Sequence, residues 1–163
     1  MSTSILELKK RIKQNIDNAN IREYFKEQLK RLVDLIFDYV DVEGILLYGS
    51  VARREGIPLK SDIDIIVISS SLPPDGIERT IMRRKFARVK PKDIEIIWST
   101  PKEFEIMYRK KVGLILDALY DGIILFDRTG FLKGFKERFE DELARGKIQR
   151  RKGYWVIQEW TSS

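Results

Sequence analysis

A chain of 163 residues, 43% hydrophobic and 34% charged, has the makeup of one compact domain with a well-solvated surface. With no Cys and no His it has no disulfide framework, thiol nucleophile, imidazole base or Ser-His-Asp triad, and no thiolate- or His-ligated metal. Acid–base or metal work falls to carboxylates, Lys or Tyr, and carboxylates are the hard oxygen ligands that suit Mg²⁺ or Mn²⁺.

The opening residues lead straight into a polar helical pattern over 5–16, with no secretory signal ahead of it. No apolar run reaches the roughly 18–20 residues that span a bilayer, so a cytoplasmic protein is expected. Ile21, Phe25, Leu29, Leu32, Ile36 and Val40 recur at helical spacing and predict a helix over 21–40. Ile45-Leu46-Leu47-Tyr48 reads as a buried strand that stops at Gly49. Residues 50–55 predict a short helix with Ser50 as N-cap and Gly56 as its stop. Residues 62–69 form a β-branched strand, and Pro73-Pro74 breaks the chain after it.

A helix over 77–88 follows, and +6, as much as the whole net charge, lies there: residues 78–92 carry seven basic side chains against Glu78. This stretch is either a solvated face or a patch for a polyanion such as RNA, along 79–92. Residues 93–98 form a third strand. Thr100-Pro101-Lys102-Glu103 is a capping box with Pro at the first helical position, opening a helix that is expected to run to about Tyr120. Ile123–Phe126 is a fourth strand, and Leu132, Phe135, Phe139 and Leu143 mark a last helix stopped by Gly146. In the tail, Trp155, Ile157 and Trp160 suit a terminal strand facing the core or a second copy; the alternative is base stacking beside Arg150, Arg151 and Lys152. The alternation of helices and strands indicates an α/β or α+β fold.

Chemistry concentrates in two stretches. Alternation along a strand puts Asp62 and Asp64 on one face, roughly 7 Å apart, with Ile63, Ile65 and Val67 on the other. Paired carboxylates at the start of an apolar strand repel each other unless a cation sits between them. Asp93 and Glu95 repeat the arrangement on the third strand, so neighbouring strands would converge three or four acids on one volume, as two-metal phosphoryl chemistry requires. Gly49-Ser50 stands where a strand turns into a helix, where backbone N–H groups are free to meet phosphate.

In this order, Gly49-Ser50, then Asp62-x-Asp64, then Glu95 resembles the nucleotidyltransferase superfamily of DNA polymerase beta, particularly its minimal prokaryotic members. The resemblance spans about residues 43–127, and Tyr48, Ala52-Arg53 and Ser61 extend it. It implies a core at 43–127 within one domain, N-terminal helices at 5–40 and a C-terminal helix and tail at 128–163. The expected architecture is a mixed sheet of about four or five strands, helices on one face and the carboxylates on the other side at the edge. By the same resemblance Asp62, Asp64 and Glu95 would be the catalytic and metal-binding acids for two Mg²⁺ or Mn²⁺ ions. Gly49, Ser50 and Arg53 would bind the nucleoside triphosphate, with ATP the default, and Glu95 would help deprotonate an acceptor hydroxyl. The partners it suggests are a helical protein, which some members adenylylate, or a second copy of the chain. A non-catalytic partner-binding module and an RNA-end-modifying enzyme are the alternatives.

Overall fold

The computed structural model describes residues 4–158. In chain order the elements are α1 (Ile5–Asn18), α2 (Glu23–Ile36), β1 (Gly44–Tyr48), α3 (Gly49–Ala52), β2 (Ile63–Ile68), α4 (Ile77–Ala87) and β3 (Ile94–Ser99). They continue as α5 (Pro101–Arg109), α6 (Gly113–Asp121), β4 (Ile123–Asp127), α7 (Phe131–Ala144), β5 (Ile148–Arg151) and β6 (Tyr154–Ile157). The first four strands form one mixed sheet in the order β3-β2-β1-β4. β1 runs antiparallel to both neighbours, and β2 and β3 are parallel, joined through α4. Parallel neighbours need such a crossover, whereas a tight turn suffices for antiparallel ones.

Side-chain alternation divides the sheet between two cores. Ile45, Leu47, Ile63, Ile65, Val67 and Ile94 pack with Leu8, Ile12 and Ile16 of α1 and with Phe25, Leu29, Leu32, Val33 and Ile36 of α2. Leu46, Ile66 and Ile68 point the other way, to Phe104 and Tyr108 of α5, Ile115, Leu116 and Leu119 of α6, and Leu132 and Phe139 of α7. Each such side chain, once fully buried, contributes about 1.5–3 kcal/mol. The mixed sheet agrees with the expected fold class, but helices cover both faces where one was expected. The reason is in the strands, which are apolar at successive positions: β2 reads Ile-Asp-Ile-Ile-Val-Ile and is buried at every residue but Asp64. A sheet apolar on both sides needs cover on both.

Two local expectations are corrected. The helix expected from Thr100 to Tyr120 is two helices. Lys111 adopts φ 52°, Val112 N donates to Met107 O at 3.1 Å, and a second helix starts at Gly113. Lys111 is held there by Glu142 of α7, Nζ to Oε2 at 2.8 Å, with its ammonium 3.8 Å above the Tyr108 ring. The helix expected over 50–55 is the single turn α3, whose N-cap is Tyr48, so Ser50 lies inside it and does not cap it. Arg54, at φ 63°, closes that turn before Gly56 is reached.

The tail folds as a β5–β6 hairpin. Trp155 packs edge-on against Tyr120 and Phe139 and donates Nε1–H to Asp117 Oδ1 at 2.9 Å, in keeping with a core-facing role. Ile157 is exposed. Trp160 lies outside the described residues.

Candidate active site

The end of β2 organises the site. In the antiparallel ladder with β1, Asp64 stands opposite Tyr48; in the parallel ladder with β3 it stands opposite Glu95. Tyr48, Asp64 and Glu95 thus lie side by side across three strands, spaced by the roughly 4.8 Å between neighbouring strands. Beyond Tyr48 the chain turns into α3 through Gly49, whose φ of 77° belongs to the left-handed region. A Cβ at Gly49 would come within 2.6 Å of Asp64 Oδ2. Only a residue without a side chain lets the α3 backbone lie directly against that carboxylate. Ser50 follows, half-buried, in the same turn. Arg53 is exposed and pairs with Glu55, Nε to Oε2 at 3.1 Å. Asp62 is exposed just ahead of β2, and Glu95, though mid-strand, also presents its side chain to solvent.

Burial, reinforced by the negative charges of Asp62 and Glu95, pushes the Asp64 carboxyl above its ordinary value, and Arg53 opposes the shift. The Tyr48 phenol is pushed up to about 12 by burial and then by Asp64 and Glu95, so at neutral pH it is a neutral hydrogen-bonding group. A half-buried carboxylate repelled by two others, with a glycine backbone lying on it, is an oxygen-only donor set that suits a hard divalent cation. Among the described residues no group of three acids is drawn together closely enough to hold a metal ion as it stands. The fit therefore rests on donor chemistry and register, not on a preformed cage.

The other sequence candidate, Asp93, precedes β3 and accepts a hydrogen bond from Tyr24 Oη at 2.9 Å, tying α2 to the sheet. Two residues further along, Glu95 is exposed and has no hydrogen-bond or ion-pair partner among the described residues.

The nucleotidyltransferase domain family matches residues 19–149, which takes in all four strands of the main sheet and Gly49, Ser50, Arg53, Asp62, Asp64 and Glu95. The chain belongs to this family. No curated protein matches it. Among solved structures this nucleotidyltransferase domain is similar to a toxin-antitoxin with AMP-PNP, at 18% identity and TM-score 0.47, covering 72% of this chain and 87% of that one. It is also similar to a mutant of the toxin-antitoxin MntA-HpeT, at 16% identity and TM-score 0.45, covering 74% and 88%. A third is a tri-AMPylated Shewanella oneidensis HEPN toxin in complex with MNT antitoxin, at 16% identity and TM-score 0.38, covering 74% and 93%.

Two features of this nucleotidyltransferase domain escaped the sequence. Asp121 is half-buried at the end of α6, and its Oδ1 is the one buried side-chain oxygen or nitrogen without a hydrogen-bond partner among the described residues. Burial raises its carboxyl above the ordinary value, and Arg53 is the foremost opposing charge, so Arg53 acts electrostatically on Asp64 and Asp121 alike. No sequence signal foretold this, since α3 and α6 meet only through the fold. The basic stretch also divides. Arg79 is buried and bonded to both oxygens of Glu103 at 2.9 and 2.8 Å, and Lys90 donates to Ile94 O at 2.6 Å. Arg83, Arg84, Lys85, Arg88 and Lys92 remain exposed.

Proposed function

We propose that this nucleotidyltransferase domain transfers a nucleotidyl group from a nucleoside triphosphate, ATP by default, to an acceptor hydroxyl. The observation that carries the reading is the register of Asp64, flanked on one side by Tyr48 and the Gly49 turn and on the other by Glu95. Backbone N–H groups of the Gly49-Ser50 turn and the Ser50 hydroxyl would receive the outer phosphates, and Arg53 would offset their charge. The acceptor oxygen bonds to the α-phosphorus as the bond to the bridging oxygen of the β-phosphate breaks; pyrophosphate leaves, and the hydroxyl proton passes to the Glu95 carboxylate. Asp62, Asp64 and Glu95 are the residues that would hold Mg²⁺ or Mn²⁺. When bound, such ions neutralise charge on the attacking and leaving oxygens.

The test combines binding and turnover. Mg²⁺ or Mn²⁺ should raise the melting temperature, further with ATP, because a ligand that binds only the folded state stabilises it. Asp62→Asn with Asp64→Asn should abolish that response while the unliganded protein still folds. Labelled ATP, GTP, CTP and UTP, each with Mg²⁺, should transfer label to an acceptor in the wild type alone. A metal response that survives in the double variant overturns the assignment of the acids.

A further inference from the structure

The open edge of the sheet holds an unused recognition surface. Among the described residues β3 has no strand on its outer side. In a parallel ladder, alternate residues aim both backbone groups at the same neighbour. Asp93 O accepts from Ile63 N at 2.7 Å and Ser99 O from Ser69 N at 3.0 Å, so residues 93, 95, 97 and 99 turn towards β2. The backbones of Ile94, Ile96 and Trp98 therefore turn outward. Ile94 is already engaged, its N–H with Pro91 O at 3.3 Å and its carbonyl with the Lys90 ammonium. Ile96 and Trp98 are left presenting an N–H and a C=O each, a short row of backbone partners on a partly buried, apolar edge.

Two cavities, of about 290 and 170 Å³, adjoin along this edge and share Arg83, Ile96 and Trp98. One extends to Met107 of α5; the other reaches Lys90 and Glu95. A groove with strand-type hydrogen-bonding groups on its floor therefore leads to the acid assigned to the acceptor hydroxyl.

We infer that this edge is the acceptor dock: an extended acidic segment of a protein acceptor adds to β3 as a further strand and so brings a side-chain hydroxyl to Glu95. The inference rests on the transfer reading above and names the class of its acceptor. An added strand meets the outward groups of Ile96 and Trp98 with alternating donors and acceptors, which a nucleic acid backbone does not carry. Its side chains would alternate between the α4 side, where Arg83 and Lys90 line the groove, and the α5 side, lined by Ile97 and Met107. Acidic residues suit the first side. Apolar residues, with the hydroxyl-bearing one among them, suit the second. Three acids also line the groove: Glu103 is already paired with Arg79, Glu95 is the residue the hydroxyl is to reach, and Asp75 is left for Arg83 to offset. Long apolar edges are normally blunted by charge or cover, and here the Lys90 ammonium engages only the Ile94 carbonyl among the outward groups of β3.

The probe is a labelled synthetic peptide in which Glu and Val alternate, with one Val replaced by Tyr, and its binding is followed by fluorescence anisotropy at low salt without nucleotide. Ile96→Pro removes one outward N–H while sparing the ladder to β2, a place where an edge strand tolerates proline. Wild type and Ile96→Ala should bind, and Ile96→Pro should bind about tenfold more weakly or not at all. Arg83→Ser should weaken binding and flatten its salt dependence. Melting temperature and ATP binding report whether the proline variant is folded. Should it not fold, hydrogen exchange on the wild type decides: added peptide should slow the amides of Ile96 and Trp98 and leave those of Glu95 and Ile97 unchanged. No binding by the wild type, equal binding by folded Ile96→Pro, or unaltered exchange at Ile96 and Trp98 overturns the dock. So does displacement of the peptide by oligouridine that binds Ile96→Pro and wild type equally. Binding is read without nucleotide, so a peptide that docks but receives no label would keep the dock and sink the transfer reading.

Discussion

Gly49 is the residue where backbone geometry and site chemistry meet. A left-handed φ of 77° costs an L side chain roughly 1–2 kcal/mol. More consequentially, the new Cβ would displace the Asp64 carboxylate it meets at 2.6 Å. Gly49→Ala should therefore fold with only a modest fall in melting temperature yet lose nearly all nucleotidyl transfer; loss of stability without loss of turnover would detach Gly49 from the site. The third acid offers a second contrast. Glu95 faces Asp64 across the ladder and Asp93 is occupied by Tyr24. Glu95→Gln should lower turnover by about 10²–10⁴ with little change in ATP affinity, the pattern of a group that acts on the proton in flight. Asp93→Asn keeps an oxygen to accept from Tyr24 and should be nearly silent in steady-state kinetics. The reverse outcome would move the functional acid two residues along the strand.

Between α5 and α6 the chain makes a turn that depends on a distant residue. Burial alone would raise the Glu142 carboxyl, but its bonds to Lys111 and Tyr108 and the charge of Arg138 bring it below the ordinary carboxylate value. A carboxyl depressed in the folded state contributes stability that is complete above its unfolded value of 4.5 and fades as pH falls through the lower folded value. Thermal melts should therefore drop as the medium is acidified below that point. Glu142→Gln should cost about 2–4 kcal/mol at neutral pH and show a shallower acid-side slope. This turn also marks where the sequence stops being legible. The capping box is a local code, and it is present: Thr100 Oγ1 accepts from Glu103 N at 3.1 Å while Glu103 Oε1 accepts from Thr100 N at 2.9 Å. The four sheet strands are local too, written as runs of Ile, Leu and Val. The α5–α6 break is not, since Lys111 is held by an acid on another helix, and Ser50 lost its capping role to a turn set by Gly49 packing on Asp64. At the site, the spacing of Asp62, Asp64 and Glu95 was readable as strand alternation, whereas the proximity of Asp121 to Arg53 exists only once α6 has packed on α3.

Over the whole molecule, two cores share one sheet, and each is sealed by helices on its own face. Ile12 of α1 is fully buried against that sheet, so Ile12→Ala should cost about 2–5 kcal/mol. Because the cores flank the same strands, one cooperative transition is expected, with circular dichroism and tryptophan fluorescence melting together; separate midpoints would show that α1 and α2 unfold on their own. The tie between α1 and β4 has a further consequence. Asn15 Nδ2 donates to Leu125 O at 2.8 Å, a contact separated by 110 residues. On the ribosome, at roughly 5–20 residues per second, α1 must wait some 5–20 seconds after its own synthesis for its partner strand to follow. Until β1, β2 and β3 follow, the apolar stripes of α1 and α2 have only each other for cover, and those strands supply most of the sheet's share of that core before β4 arrives. The α1–α2 segment is thus most vulnerable to misassociation before β1 emerges, and a chaperone that recognises exposed aliphatic helices would meet its target before the residues of the site had been translated.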